Sequence, residues 1–130
     1  MVYINNDIYL MSLALIDERE LAGDTTDLEE RAPYLIASFC GLCKNLDKKL
    51  RERDSLEEQG NFSLVKLELK KTFPLCEALV TPAAVYLASM LIADENPALS
   101  ETLYDKYCDT VAMLGAECSC SAISDVYFAD

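Results

Sequence analysis

Histidine does not occur in this chain. Its absence removes the commonest general base, the side chain that titrates near neutral pH, and most catalytic zinc sites. Long apolar runs are missing too: none approaches the roughly 20 residues that a bilayer span needs. The opening stretch, MVYINNDIYL, lacks the basic region and small-residue cleavage site of a secretory signal, which predicts a chain that stays in the cytoplasm. Positive charge is scarce, with 11 Lys and Arg against 23 Asp and Glu, a net of −12. Nucleic-acid binders draw most of their affinity from cations on phosphates, so neither nucleic acid nor an anionic membrane is an expected partner. The plainest use of such acidity is a well-solvated surface.

No Gly-rich phosphate loop or nucleophile motif stands beside the paired carboxylates Glu29/Glu30, Glu57/Glu58 and Asp94/Glu95. Such pairs can do acid–base work, but without those neighbours they read as solvated helix ends. No catalytic residue and no cofactor site is expected, and the chain is read as non-enzymatic.

What is present points to one helical domain. At 130 residues and 52% hydrophobic content the chain can bury a sizeable core. Its organising stretch is Thr81 to Asn96, TPAAVYLASMLIADEN. Between Ala83 and Ala93 only Ser89 is polar. A helix apolar all round, and too short for a membrane, belongs at the centre of a helical domain. Thr81-Pro82 reads as its cap and first turn, and Asn96-Pro97 as its end.

Around it the chain predicts further helices. The first spans about Asp7 to Leu21, with Asn5, Asn6 and Asp7 as candidate caps and a stop at Gly23. The capping-box pattern Thr26-Asp27-Leu28-Glu29 opens a second, running to about Arg53, with a kink or break expected at Pro33. Its apolar stripe is Leu35, Phe39, Leu42, Cys43, Leu46 and Leu50; Lys44, Asp47, Lys48, Arg51 and Glu52 are assigned to the wet face. Residues from Arg51 to Phe62 read as surface loop. Phe62 to Lys71 alternates like a strand, but a lone strand lacks a partner, so it is assigned helix or irregular structure. Leu75 to Val80 reads as a short helical segment. The last helix runs from Pro97 to about Leu114 on the stripe Leu99, Leu103, Tyr107, Val111 and Leu114, with Asn96 as a candidate N-cap and Gly115 as its C-cap. Tyr86, Tyr104 and Tyr107 are expected to pack with their hydroxyls reaching the surface.

Residues 116–130 show no helical period and carry Ile123, Val126, Tyr127 and Phe128, so they read as an irregular docking tail. The expected fold is therefore all-α: a single-domain bundle of about four to five helices around a central apolar helix at 81–95. Residues 1–115 form the domain and 116–130 the tail.

Six cysteines occupy positions 40, 43, 76, 108, 118 and 120. Without an export signal they are expected to be reduced thiols. Cys40-Gly41-Leu42-Cys43 has redox or zinc spacing, and Cys118-Ser119-Cys120 would complete four ligands. A redox pair belongs at an exposed helix N-terminus, however, and these sit in mid-helix on the apolar side. Core packing is the preferred reading, with no metal assigned and a zinc module as the minor alternative.

Several stretches resemble a group of small proteins encoded in the structural-gene region of tailed phages and prophages of Firmicutes. They are LMSLALIDE, YLIASFCGLC after RAP, the block FPLCEALVTPAAVYLASMLIADENPALSETLYDKY, and the tail motif ISDVY. Together they cover more than half of the chain, in the same order as in that group. The Phe-Pro-Leu turn, the Asp-Glu-Asn-Pro helix break and the Asp-Val-Tyr tail are the specific parts. The six cysteines depart from the group's pattern. The resemblance implies a head-tail connector-like subunit, found in the bacterial cytoplasm and then in the virion. Its partners would be portal, tail or neighbouring connector subunits, and it would be a homo-oligomer in the particle. The implied contacts are made by Ile123, Asp125, Val126, Tyr127 and Phe128. The competing expectation is a cytoplasmic helical adaptor that binds one protein partner.

Overall fold

The computed structural model describes residues 2–16 and 26–128, with side chains as far as Cys118. Among these residues the regular structure is entirely helical: α1 (Asn5–Leu15), α2 (Thr26–Leu42), α3 (Lys44–Arg53), α4 (Val80–Ile92) and α5 (Pro97–Phe128). A single 3₁₀ turn, Glu77–Leu79, leads into α4.

The central helix is where the sequence puts it. Every residue of α4 is buried except exposed Thr81 and half-buried Met90. α1, α2 and α5 pack around it, and α3 lies against α5. Ala83, Ala84 and Ala88 are at most 2% exposed, so no large side chain holds the neighbouring helices away. The serine of its buried face is fully accounted for. Ser89 Oγ donates to the Ser100 carbonyl at 3.0 Å, and Ser100 Oγ donates back to the Ser89 carbonyl at 2.8 Å. That reciprocal pair fastens α4 to α5 with no orphaned hydroxyl, which a dry interface would otherwise penalise. An aromatic cluster completes the join: Phe39 of α2, Tyr86 of α4 and Tyr107 of α5 meet with ring centroids 5.1 to 5.9 Å apart. Tyr86 reaches Ser38 Oγ at 3.0 Å, as expected of a packed ring with its hydroxyl near the margin.

The boundaries differ from the expected ones in instructive ways. α1 starts at Asn5, and Asn5 is buried instead of capping; its Nδ2 donates to the Glu68 carbonyl at 2.9 Å. Capping falls to Asp7, whose carboxylate accepts from the Ile4 N–H. The expected continuation to Leu21 and the Gly23 stop lie outside the described residues. Thr81 does not cap α4, because the 3₁₀ turn already delivers a helical chain at Val80. Pro82 is tolerated within the first turn, where the backbone N–H has no helical partner anyway. Asn96 does cap α5, its Oδ1 accepting from Leu99 N at 3.1 Å.

The long second helix divides at Cys43 and not at Pro33. Pro33 loses one helical hydrogen bond and crowds the carbonyl four residues back, together a cost of about 3 kcal/mol. Against it stands a buried face of Leu28, Ala32, Pro33, Ile36, Ala37, Phe39 and Cys40. The Pro33 carbonyl also accepts from Leu67 N at 3.0 Å, which ties the 62–72 segment to α2. Cys43 takes φ −101° and ψ 10°, yet Cys43 N still reaches the Phe39 carbonyl and Asp47 N the Cys43 carbonyl, both at 2.9 Å. The break is therefore one distorted residue in a nearly continuous rod.

Phe62 to Lys71 is irregular. Its extended end pairs with residues 3–6 instead: Ile4 and Thr72 form an isolated antiparallel bridge, and Asn5 N, Asn6 N and Phe73 N close bonds of 2.8 Å across it. The largest departure is at the other terminus. α5 does not stop at Leu114; its backbone stays helical through residues 116–128, where an irregular tail was expected. Gly115 has no left-handed backbone and no neighbour within 4 Å of the place a Cβ would occupy. It is a glycine within a helix, which costs about 1 kcal/mol relative to alanine and does not end one.

α3 ends in a Schellman motif, with Leu56 N on the Arg51 carbonyl at 2.8 Å and Ser55 N on that of Glu52 at 3.4 Å. Ser55 holds the left-handed position at φ 55°. Ser55→Gly removes that strain and is expected to raise unfolding stability by about 0.5–1 kcal/mol, measured by urea titration; a loss would contradict the motif. Ala84→Asp places an unpaired charge at a 1% exposed site and is expected to cost several kcal/mol. An unchanged melting temperature for that variant would remove α4 from the core.

Candidate functional site

The polar centre of the molecule is Asp47, placed by its sequence position on the wet face of α3 and found fully buried. The 54–76 connection folds back over α3 and covers it. One carboxylate oxygen accepts from Cys76 N at 2.7 Å. The other accepts from Arg51 Nε at 2.7 Å and Gln59 Nε2 at 2.8 Å. Arg51 then spends its remaining donors on chain that has no secondary structure of its own: Nη1 on the Glu57 carbonyl at 2.9 Å and Nη2 on that of Pro74 at 3.0 Å. Gln59 also reaches the Lys44 carbonyl at 2.9 Å. One i,i+4 pair on α3 thus fixes both limbs of the connection. Burial alone would raise the Asp47 pKa, but the donors from Cys76, Gln59 and Arg51 outweigh it and hold the carboxyl below its ordinary value.

A shallow cleft of about 300 Å³ lies over this brace, lined by Lys48, Arg51, Glu52, Leu56, Glu58 and Gln59. A more open groove of about 730 Å³ runs between the start of α2 and the 66–70 segment, with Glu29, Glu30, Tyr34, Lys66 and Lys70 on its walls. The expected carboxylate pairs remain separate: Glu57/Glu58 and Asp94/Glu95 lie in connections, and Glu29/Glu30 face the groove.

Cys40, Cys43, Cys76 and Cys118 are buried thiols, and Cys108 is exposed. Burial pushes Cys40 far above the usual thiol range and lifts Cys43 and Cys76 to about 11 each. At neutral pH these groups carry their protons, the form in which sulfur is neither nucleophile nor metal ligand. Cys43 shares a hydrogen bond with the Tyr107 hydroxyl, so that hydroxyl points into the domain and not to the surface as expected. Among the described residues no group of three or more Cys, Asp or Glu is arranged to hold a metal ion. Nor is any described helix long and apolar enough to cross a membrane.

α5 is the remaining candidate for an interaction element. Cys43 meets Tyr107 at one end of α3 and Arg53 Nη1 meets Glu117 at 3.5 Å at the other. The two helices therefore run side by side in the same direction. Cys118, the last residue whose side chain is described, is buried. Beyond it the helix continues for ten residues, about 15 Å at 1.5 Å per residue. Ile123, Asp125, Val126, Tyr127 and Phe128 all fall on this helical extension; their side chains lie outside the described set. Exposed Leu42 and Tyr104 add apolar surface on α2 and α5.

The brace has a pH signature. A carboxyl whose folded pKa is depressed contributes stability that is fully present above its ordinary value of about 3.9 and lost as pH falls through the lower folded value. Asp47→Asn is expected to flatten the acid limb of the stability–pH curve below about pH 4. Asp47→Ala is expected to cost about 3 kcal/mol or more at neutral pH by stranding Arg51 and the Cys76 N–H. Urea unfolding across a pH series reads both, and an acid limb identical to that of the wild type would remove Asp47 from the account.

Comparison with protein-family models, with curated proteins and with solved structures found no match to this chain.

Proposed function

We propose that this is a non-enzymatic assembly protein, a subunit that works by docking onto other proteins through α5 and its extension. The observation that carries the reading is the length of that helix. It runs for 32 residues, and its sequence brings Ile123, Val126, Tyr127 and Phe128 within six positions near its end. Apolar residues at helical spacing near the end of so long a helix suit a helix-in-groove contact, in which anchors three and four apart seat in a partner.

The kind of assembly comes from the sequence resemblance: a head-tail connector-like subunit of a tailed phage or prophage, associating with portal, tail or neighbouring subunits. The segments that carry the resemblance fall on α1, α2, the α4 core helix, the start of α5 and its extension, so they supply both the frame and the proposed contact. The acidic surface suits a conduit through which DNA slides without adhering.

The test is mass spectrometry of purified particles induced from the bacterium that carries the gene, beside particles from a strain in which residues 121–130 have been deleted. The full chain is expected in the particles at stoichiometric abundance. The truncated chain is expected to fold, with cooperative thermal unfolding in circular dichroism, and to be missing from them. A full chain found only in a discrete one-to-one complex in the cytoplasm would favour the adaptor, and incorporation of the truncated chain would remove the α5 extension from the contact.

A further inference from the structure

The net charge conceals a division. Eight of the eleven Lys and Arg fall within residues 44–71, with only six of the 23 Asp and Glu, so that stretch is +2 while the rest of the chain is −14. Six of the eight are lysines, at positions 44, 48, 49, 66, 70 and 71. In a chain with two acids for every base, none of these lysines forms an ion pair with a described carboxylate. Lys44 and Lys66 lie over the Phe62 and Tyr34 rings, at 5.9 and 5.6 Å; Lys48, on the rim of the cleft, and Lys49 are exposed on α3, with exposed Glu52 one turn beyond Lys48. α5 carries the opposite arrangement. Glu101, Asp105 and Asp109 are all exposed, and their spacing of four sets them in one row. They have no ion-pair partner among the described residues either. The contact between α3 and α5 within the chain uses a different pair, Arg53 with Glu117.

We infer that the lysine face of α3, Lys44, Lys48 and Lys49, is a docking surface for the Glu101–Asp105–Asp109 row of a second copy of this chain. This rests on the assembly reading and names one of its contacts. A nucleic acid is disfavoured as the occupant because a stretch of net +2 offers a phosphate backbone few uncompensated cations. A second copy brings a carboxylate row of about 12 Å, two helical turns, to lysines spread over one and a half turns. The two patches differ, so a single contact leaves a lysine face free on one copy and an acidic row free on the other; a reciprocal second contact closes these into a twofold dimer, and further copies extend them into a larger assembly.

Charge-swap variants test this by sedimentation velocity over a concentration series, with circular dichroism to verify folding. The wild type is expected to exceed the monomer mass of 14.5 kDa and to return to it in high salt. Glu101→Lys with Asp105→Lys and Asp109→Lys lowers the net charge from −12 to −6. If bulk repulsion governed association, that variant would associate more; the row contact requires it to be monomeric. Lys44→Glu with Lys48→Glu and Lys49→Glu is likewise expected to be monomeric. An equimolar mixture of the two is expected to regain mass, because each supplies the sign the other has lost. A monomeric wild type at every concentration overturns the inference, as do swapped variants that keep wild-type mass or a mixture that stays monomeric. If the chain is nevertheless found in purified particles, this contact falls and the assembly reading stands.

Discussion

A helix with no polar side to show water has to be covered on every side, and α4 imposes that condition on the whole domain. Its neighbours meet it without large intervening side chains because Ala83, Ala84 and Ala88 leave little to separate them. Its buried serine hydroxyl, Ser89, is matched by Ser100 in both directions. Arg31 adds a long bond of 3.4 Å to the Met90 carbonyl in the last turn, where a cation also opposes the negative end of the helix dipole. α1, α2 and α5 are thus arranged about one apolar rod, with the aromatic cluster of Phe39, Tyr86 and Tyr107 filling the junction of three of the helices.

Residues 54–76, a connection without helix, enter the core only at Leu67, Phe73, Leu75 and Cys76. The Asp47–Arg51 pair holds further points of that stretch. A buried ion pair is weak evidence of net stability, since desolvation offsets much of the attraction, but removing one partner is costly. Here its distinct contribution is placement. The same two side chains hold the backbone at Glu57, Pro74 and Cys76, so the lysine-bearing segment lies in a fixed position over α2 and α3.

The functional reading rests on the parts of the molecule that this frame leaves outside it. The core accounts for Tyr9, Tyr86 and Tyr107 and for the buried cysteines, whose thiols burial pushes up at Cys40, Cys43 and Cys76. What the core leaves unused is surface: a long α5, a row of carboxylates along it, and a separate lysine face. Surfaces of that kind serve protein contacts, in which charge sets orientation and apolar anchors set residence.

The sequence by itself determined the all-α class, the central helix, the Asn96 cap and most of the core stripe, because apolar period and capping chemistry are local properties. Only the tertiary structure decided the rest. Pro33 stays within a helix because the buried face of α2 outweighs the lost donor and the steric cost of an interior proline. Asp47 looks solvent-facing by its position on α3, and becomes interior only because chain up to 29 residues away closes over it. Gly115 reads as a stop, but a glycine ends a helix through a left-handed backbone, and here the packing of α5 along α3 as far as Glu117 carries the helix past it. The division of charge is legible in the sequence; that these lysines and carboxylates leave one another unpaired among the described residues is a fact of three dimensions.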